Sequence, residues 1–411
     1  MRRRALLVGI NSYEHMTDLT WCIDDVLALR QVLEYHENHA RNFFCHILLG
    51  SQSAAEALNN EGVMNYGPYI PNGGIAHTPE RVTFSTLRRA LKELFAFEEM
   101  VLFYFSGHGY PTENGVFLAT QDGNSALPGM PLNDILEMAN ASPAREVLLL
   151  IDSCYSGALG EPEQVGTIAN LYLRPGVTLL AASRSDQRAL ETQGRGLFTD
   201  LVIGALKGGA SDVRGQVSAA AMYAYIEQAL GPWDQRPIYK SNATQLSPIR
   251  YCMPDIEDDE LRRLPQLFPR PDHLYYLDPS YEVTRPEALP EHIGIFKIFK
   301  RYQVARLLRP TLDSDLYFAA IRKHPVELTP MGQFYWQLAK HNLLGDSSFP
   351  HHTRRSPMPD AETVAKMFHE TYERLSPAFG YGTREETRVA WEKVPERNKR
   401  LMIAATAELL A

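Results

Sequence analysis

Residues 1–232 predict an α/β fold, a three-layer sandwich around a mostly parallel six-stranded sheet. Two observations carry this. Short runs of apolar and β-branched residues, apolar throughout instead of at alternate positions, are separated by segments whose apolar residues recur every three to four positions. Strands buried on both faces and joined by amphipathic helices belong to a parallel sheet covered by helices on each side. A third observation points to a site. VLFYFSGHGY (101–110) and VLLLIDSCYSG (147–157) both end abruptly in glycines, each with one reactive side chain at the break, His108 and Cys154.

The first run, Ala5–Ile10, follows three arginines and imitates a secretion signal. Six apolar residues giving way to Asn11 and Ser12, with no small-residue cleavage site, read instead as a buried strand. Further strands are expected at Cys45–Leu49, Met100–Phe105, Val116–Ala119, Val147–Ile151 and Val177–Ala182. Helices are expected at Asp24–Glu34, Phe84–Phe97, Asn133–Ala139, Thr199–Lys207 and Ser218–Leu230. Two connections, 50–80 and 158–175, exceed ordinary length and read as functional or mobile loops. Beyond residue 232 the chain turns proline-rich and carries the acidic run DIEDDE, so 233–284 reads as a domain edge and linker. Residues 285–347 then form a small mixed domain, winged-helix-like in character, and 358–411 a small helical domain, so the C-terminal part is mainly helical.

Composition narrows the function. At 411 residues the chain exceeds one hydrophobic core, and 45% apolar with 22% charged residues is ordinary for a soluble globular protein. A net charge of −8, from 41 basic and 49 acidic residues, argues against wholesale binding to nucleic acid or anionic membrane, though a local basic patch is not thereby ruled out. No apolar stretch approaches the roughly 20 residues that span a bilayer. Cys22, Cys45, Cys154 and Cys252 are scattered, with no C-x-x-C and no histidine at metal-ligand spacing. Neither a disulfide framework nor a zinc site is expected, and a reducing cytoplasm fits best. No cofactor is expected.

The two breaks share a chemical purpose. In a parallel sheet all strand C-terminal ends face one edge, where ligands bind. If the two strands are neighbours, about 4.8 Å apart, His108 and Cys154 meet at one rim. A free thiol with a pKa of about 8.5 is mostly protonated at neutral pH, and the thiolate is the nucleophile. A nearby imidazole takes that proton during attack and returns it to the leaving amine. Gly107 and Gly109 would let the backbone turn sharply, so that the amides of Gly109 and Cys154 face a developing oxyanion.

The order apolar strand, S-G-H-G, apolar strand, D-S-C-x-S-G resembles the caspase-like cysteine peptidases, and metacaspases and bacterial caspase-like proteins more than animal caspases. Caspases place their His about fifty residues before the Cys, and here the interval is forty-six. The resemblance spans roughly residues 4–230 and includes ALLVGINSY, WCIDDVLALRQVL, GVFLATQDG, LLAASRSDQRALE and GLFTDLVIGAL. DSCYSG departs from the Q-A-C-x-G of animal caspases, and Tyr155 stands where metacaspases usually have His.

The resemblance implies a cysteine endopeptidase with an acidic pocket for the residue before the scissile bond. The matching positions are Asp25, Ser106 and Asp152, with Asp186 at the far wall. Asp24 is the alternative to Asp25, and Asp152 has the alternative task of shaping its loop. Carboxylates in a partly dry pocket hold a guanidinium by paired, charge-assisted hydrogen bonds, so Arg and then Lys are preferred over Asp. Many metacaspases bind calcium after the His strand. Asp122 and Asp134 alone are a poor set for an ion that takes six to eight oxygens, so no calcium requirement is expected. Arg174, the single basic residue of 158–176, is the position at which self-cleavage of the linker would occur. The family also implies a regulated effector of bacterial antiviral defence or programmed cell death, with protein or peptide substrates and an activating partner bound through the C-terminal domains. The competing reading is a catalytically idle caspase-like scaffold that acts through those domains.

Overall fold

The computed structural model describes residues 3–51, 81–112, 115–154, 172–182, 196–230, 237–244, 247–345, 365–366, 369 and 393–410. Its main sheet runs β2 (Phe44–Gly50), β1 (Arg3–Ile10), β3 (Met100–Thr112), β6 (Glu146–Cys154), β7 (Val177–Ala181), β9 (Ile238–Ser241). The first five strands are parallel and β9 is antiparallel to β7. The expected α/β sandwich is therefore present, with one exchange among its strands. Val116–Ala119 lies in β4 (Gly115–Ala119), which with β5 (Gly129–Pro131) forms an antiparallel arm on the far end of β3. The sixth place is taken by β9, which the sequence left in the linker because IYKS is short and half polar. The boundary expected at residue 232 thus falls inside the sheet.

The alternating sides of the central strands build two apolar layers. Val101, Phe103, Phe105, Val147, Leu149 and Ile151 pack on one side against α2 (Phe84–Phe95) and α3 (Leu132–Ala141). Leu102, Tyr104, Leu148 and Leu150 pack on the other against α1 (Cys22–Leu33), α4 (Leu197–Gly204) and α5 (Ala219–Leu230). A π-helical turn, Ala205–Gly209, extends α4. Two residues of α1's first turn, Asp24 and Asp25, suit the positive end of its dipole.

The segment expected as linker is instead packed. After β8 (Gln216–Val217) and β10 (Arg250–Tyr251), which pair with each other, come α6 (Asp258–Leu261) and α7 (Leu264–Leu267). Ile256, Leu261, Leu264, Phe268, Leu277 and Tyr281 join a third apolar cluster with α8 (Pro290–Val304), α9 (Leu316–Arg322) and α10 (Pro330–Lys340). Its sheet orders β11 (Tyr275–Tyr276), β13 (Pro325–Leu328) and β12 (Leu308–Pro310), all antiparallel. Local charge made this stretch look like a spacer, but its apolar residues are spaced to meet partners far along the chain. Residues 1–350 form one compact unit and 351–411 a second, in which α11 (Glu396–Leu410) is described. Among the described residues no helix is long and apolar enough to cross a membrane.

One close approach sets where α1 lies. A Cβ on Gly9 would stand 2.3 Å from the Cys22 carbonyl oxygen and 2.9 Å from a Val26 methyl, so β1 carries glycine where the helix rests on it. Gly9→Ala is expected to cost about 1–3 kcal/mol by overpacking, read as a lowered thermal midpoint.

Candidate active site

The break after β3 is not a break. The strand continues through Ser106, Gly107 and His108, pairs in parallel with β6 to the end, and then turns its remaining residues against β4. Neither Gly107 nor Gly109 has a positive φ, so the sharp turn expected there is absent. Gly107 is small for another reason: a Cβ there would lie 2.7 Å from the Tyr13 hydroxyl. Gly109 stands opposite Leu118 as the first residue of the antiparallel arm.

The register pairs His108 with Cys154 and, two residues earlier, Ser106 with Asp152. Neighbouring strands lie about 4.8 Å apart, so the two backbone positions of the expected dyad are adjacent. Ser106 and Asp152 continue the face of Tyr104 and Leu150, the face covered by α1 and α4. That geometry brings Asp25 in from α1. Its Oδ2 accepts from the Ser106 hydroxyl at 3.0 Å, and its Oδ1 accepts from the Gly196 amide at 3.1 Å. Asp25 is buried, Asp24 half-buried, so Asp25 is the residue of the two that turns toward Ser106. Asp152 accepts from the Thr199 hydroxyl at 2.6 Å, and Thr199 meets the Tyr104 hydroxyl at 2.6 Å. Asp186 lies outside the described residues, as does the thiol of Cys154.

Burial, and after it the neighbouring Asp152 carboxylate, push Asp25 up to about 8. The two acids therefore resist being charged together, and a cation delivered to them relieves the repulsion.

The imidazole is oriented by residues that the sequence reading missed. His108 Nε2 lies 2.7 Å from the carbonyl oxygen of Thr17. A carbonyl only accepts, so Nε2 carries the hydrogen and, in the neutral ring, Nδ1 is left with the lone pair. Tyr13 packs beside the ring at 4.8 Å between centroids, and its hydroxyl accepts from the His108 amide at 2.9 Å. The loop holding both is tied by Asn11, whose side chain donates to Thr20 O and accepts from the Ile23 amide. The GINSY string, which begins at the end of β1, carried the only sequence signal for Tyr13. Thr17 acts through its backbone, which leaves no signature.

Two other expectations meet definite structural roles. One oxygen of Asp122 accepts from the Phe84 amide at 3.0 Å and the Thr120 hydroxyl at 2.7 Å, pinning its loop to the start of α2. Arg174 is clamped: its guanidinium donates to the carbonyls of Ser142, Ala144 and Pro175, and its amide to Asn140. It also precedes β7, whose Val177 pairs with Val147. That is seven positions upstream of Cys154, about 23 Å along the strand on the opposite edge of the sheet. A fold that keeps β7 in place cannot bring Arg174 to Cys154 of the same chain, and the bond after it leads into Pro175.

Because Asp25 ionises at about 4 when unfolded and at about 8 when folded, its burden on stability grows from pH 4 to 8 and levels off above. Asp25→Asn removes that burden. Its thermal midpoint should exceed that of the parent by little at pH 5 and by several degrees at pH 9, at about 2–4 °C per kcal/mol. A difference constant with pH would contradict this.

A family model described as Caspase domain, Peptidase C14, matches residues 2–247. A search of curated proteins finds no match. The match covers more than half of the 411 residues, and the parallel sheet with adjacent His108 and Cys154 positions agrees with it. The chain belongs to the caspase-domain family of cysteine peptidases.

Proposed function

We propose that the protein is a cysteine endopeptidase that cleaves after Arg, and less readily after Lys, using Cys154 and His108. The observation that carries the proposal is the β3–β6 register, which aligns the nucleophile and base positions at the rim and Ser106 with Asp152 two residues behind them. Two strand residues span about 6.6 Å, on the order of an extended arginine side chain. A substrate whose scissile carbonyl lies at Cys154 thus extends a basic side chain to the Asp25–Asp152 pair.

In this reading His108 Nδ1 takes the thiol proton as sulfur attacks, and the resulting imidazolium stays bonded through Nε2–H to Thr17 O. The amides of Gly109 and Cys154 receive the oxyanion. The carbonyl–nitrogen bond then breaks, the imidazolium protonates the leaving amine, and water hydrolyses the thioester with His108 again as base. Arg or Lys restores charge balance to the acidic pair, whereas an Asp side chain would add a third carboxylate.

Residues 155–173 contain no Lys or Arg, and Arg174 is held at the far edge. The enzyme is therefore expected to work as an unbroken chain, not by cutting this linker.

The test is fluorogenic peptides differing only in the residue before the scissile bond, profiled on wild type and Cys154→Ala. Arg peptides should be cleaved, Asp peptides should not, and Cys154→Ala should lose about 10³-fold or more. Equal turnover by Cys154→Ala would overturn the proposal. Intact mass of the active preparation should show the linker uncut; a fragment ending at Arg174 would contradict the single-chain reading.

A further inference from the structure

The first turn of α4, which covers the same sheet face as α1, also reaches into the acidic pocket. Gly196 donates its amide to Asp25 at 3.1 Å, and Thr199, fully buried, donates its hydroxyl to Asp152 Oδ2 at 2.6 Å. Thr199 has one hydroxyl hydrogen. Since it goes to Asp152, the 2.6 Å contact with Tyr104 must be donated by Tyr104. The result is a one-way chain, Tyr104 to Thr199 to Asp152, running from the apolar layer beneath the sheet face to a carboxylate at the rim. Both Tyr104 and Thr199 are completely shielded from solvent. A hydroxyl pair with such a directed purpose in an otherwise apolar layer is costly unless it orients something.

We propose that Thr199, held in turn by Tyr104, is a positioning residue for substrate specificity: it fixes the plane of the Asp152 carboxylate and favours its ionised form, and so sets how tightly a basic side chain is gripped. The inference rests on the reading that this pocket takes Arg. It places the specificity machinery partly in α4, through a backbone amide at its start and a hydroxyl in its first turn. The short reach also explains the residue at 196: a Cβ there would stand 2.9 Å from Asp152 Oδ2 and 3.2 Å from Asp25 Oδ2.

Among the described residues, Asp25 on α1 and Tyr104 on β3 bear electrostatically on Asp152, and Asp200 on α4 bears on Asp25. Thr199→Val keeps the shape and removes the donor, so the acidic pair should ionise at higher pH, a donor to the charged form having been lost.

The experiment measures kcat and KM for an Arg peptide across pH with wild type, Thr199→Val, Thr199→Ser and Tyr104→Phe, with thermal midpoints alongside. Thr199→Val should raise KM about 10–100-fold, with kcat changed far less, and should shift the acidic limb of the KM profile upward in pH. Thr199→Ser should restore both, and Tyr104→Phe should move them in the same direction by less. If Thr199→Val does not fold, Tyr104→Phe, which deletes one oxygen, carries the test. A fall in kcat with KM unchanged, a pH limb that stays in place, or failure of Ser to rescue would overturn the inference. Failure of wild type itself to prefer Arg would overturn the underlying reading instead.

Discussion

The parallel pairing of β3 with β6 is the constraint on which the rest depends. It aligns Met100 with Glu146 and keeps step through His108 and Cys154. Side chains alternate along a strand, so a slip of one residue would send Ser106 or Asp152 to the α2–α3 side and separate the rim positions. The register resists slipping because both faces of both strands are filled: Phe103, Phe105, Leu149 and Ile151 on one side, Leu102, Tyr104, Leu148 and Leu150 on the other. The chemistry at the rim is positioned by apolar packing several residues below it.

That packing carries a cost placed on purpose at the edge. Asp25 and Asp152 are both nearly buried, and burial first and the Asp152 carboxylate after it raise Asp25, a local conflict of the kind proteins tolerate where a ligand resolves it. Three donors temper the conflict: Ser106 on β3, the Gly196 amide at the start of α4, and Thr199 within its first turn. The imidazole is restrained differently, by a carbonyl and a tyrosine of one short loop.

The two helices that bear on the acidic pair share an anchor at their far ends. Beyond α1, Tyr251 donates its amide to His36 Nδ1 and accepts from the Glu37 amide, while Met253 donates to the Glu37 carboxylate. At the π-helical extension of α4, the Leu206 carbonyl accepts from Arg250 and Cys252. His36 is pushed down to about 3, by burial first and by Arg3 and Arg250 after it, so this junction keeps its neutral imidazole through the physiological range. Val213 then enters the third apolar cluster, and Arg214 grips Asp258 with two hydrogen bonds of 2.8 Å. The residues that the acidic run made look like a tether therefore brace the peptidase sheet.

Local pattern was enough for much of this protein. Continuous apolar runs marked the buried strands, three-to-four spacing marked the helices, and the His and Cys at two strand ends, with Asp25 upstream, pointed to the family and its rim. These signals are legible because each lies within one short stretch. The tertiary structure decided what depends on distant segments meeting. It took β9 from polar residues that only an edge position accepts, moved Val116–Ala119 out of the main sheet, and turned the linker into a packed cluster. It set Arg174 to work as a clamp at the edge opposite Cys154. It also recruited a backbone carbonyl at Thr17 and hydroxyls at Tyr13, Tyr104 and Thr199, groups whose role is set by the donor or acceptor that folding places beside them.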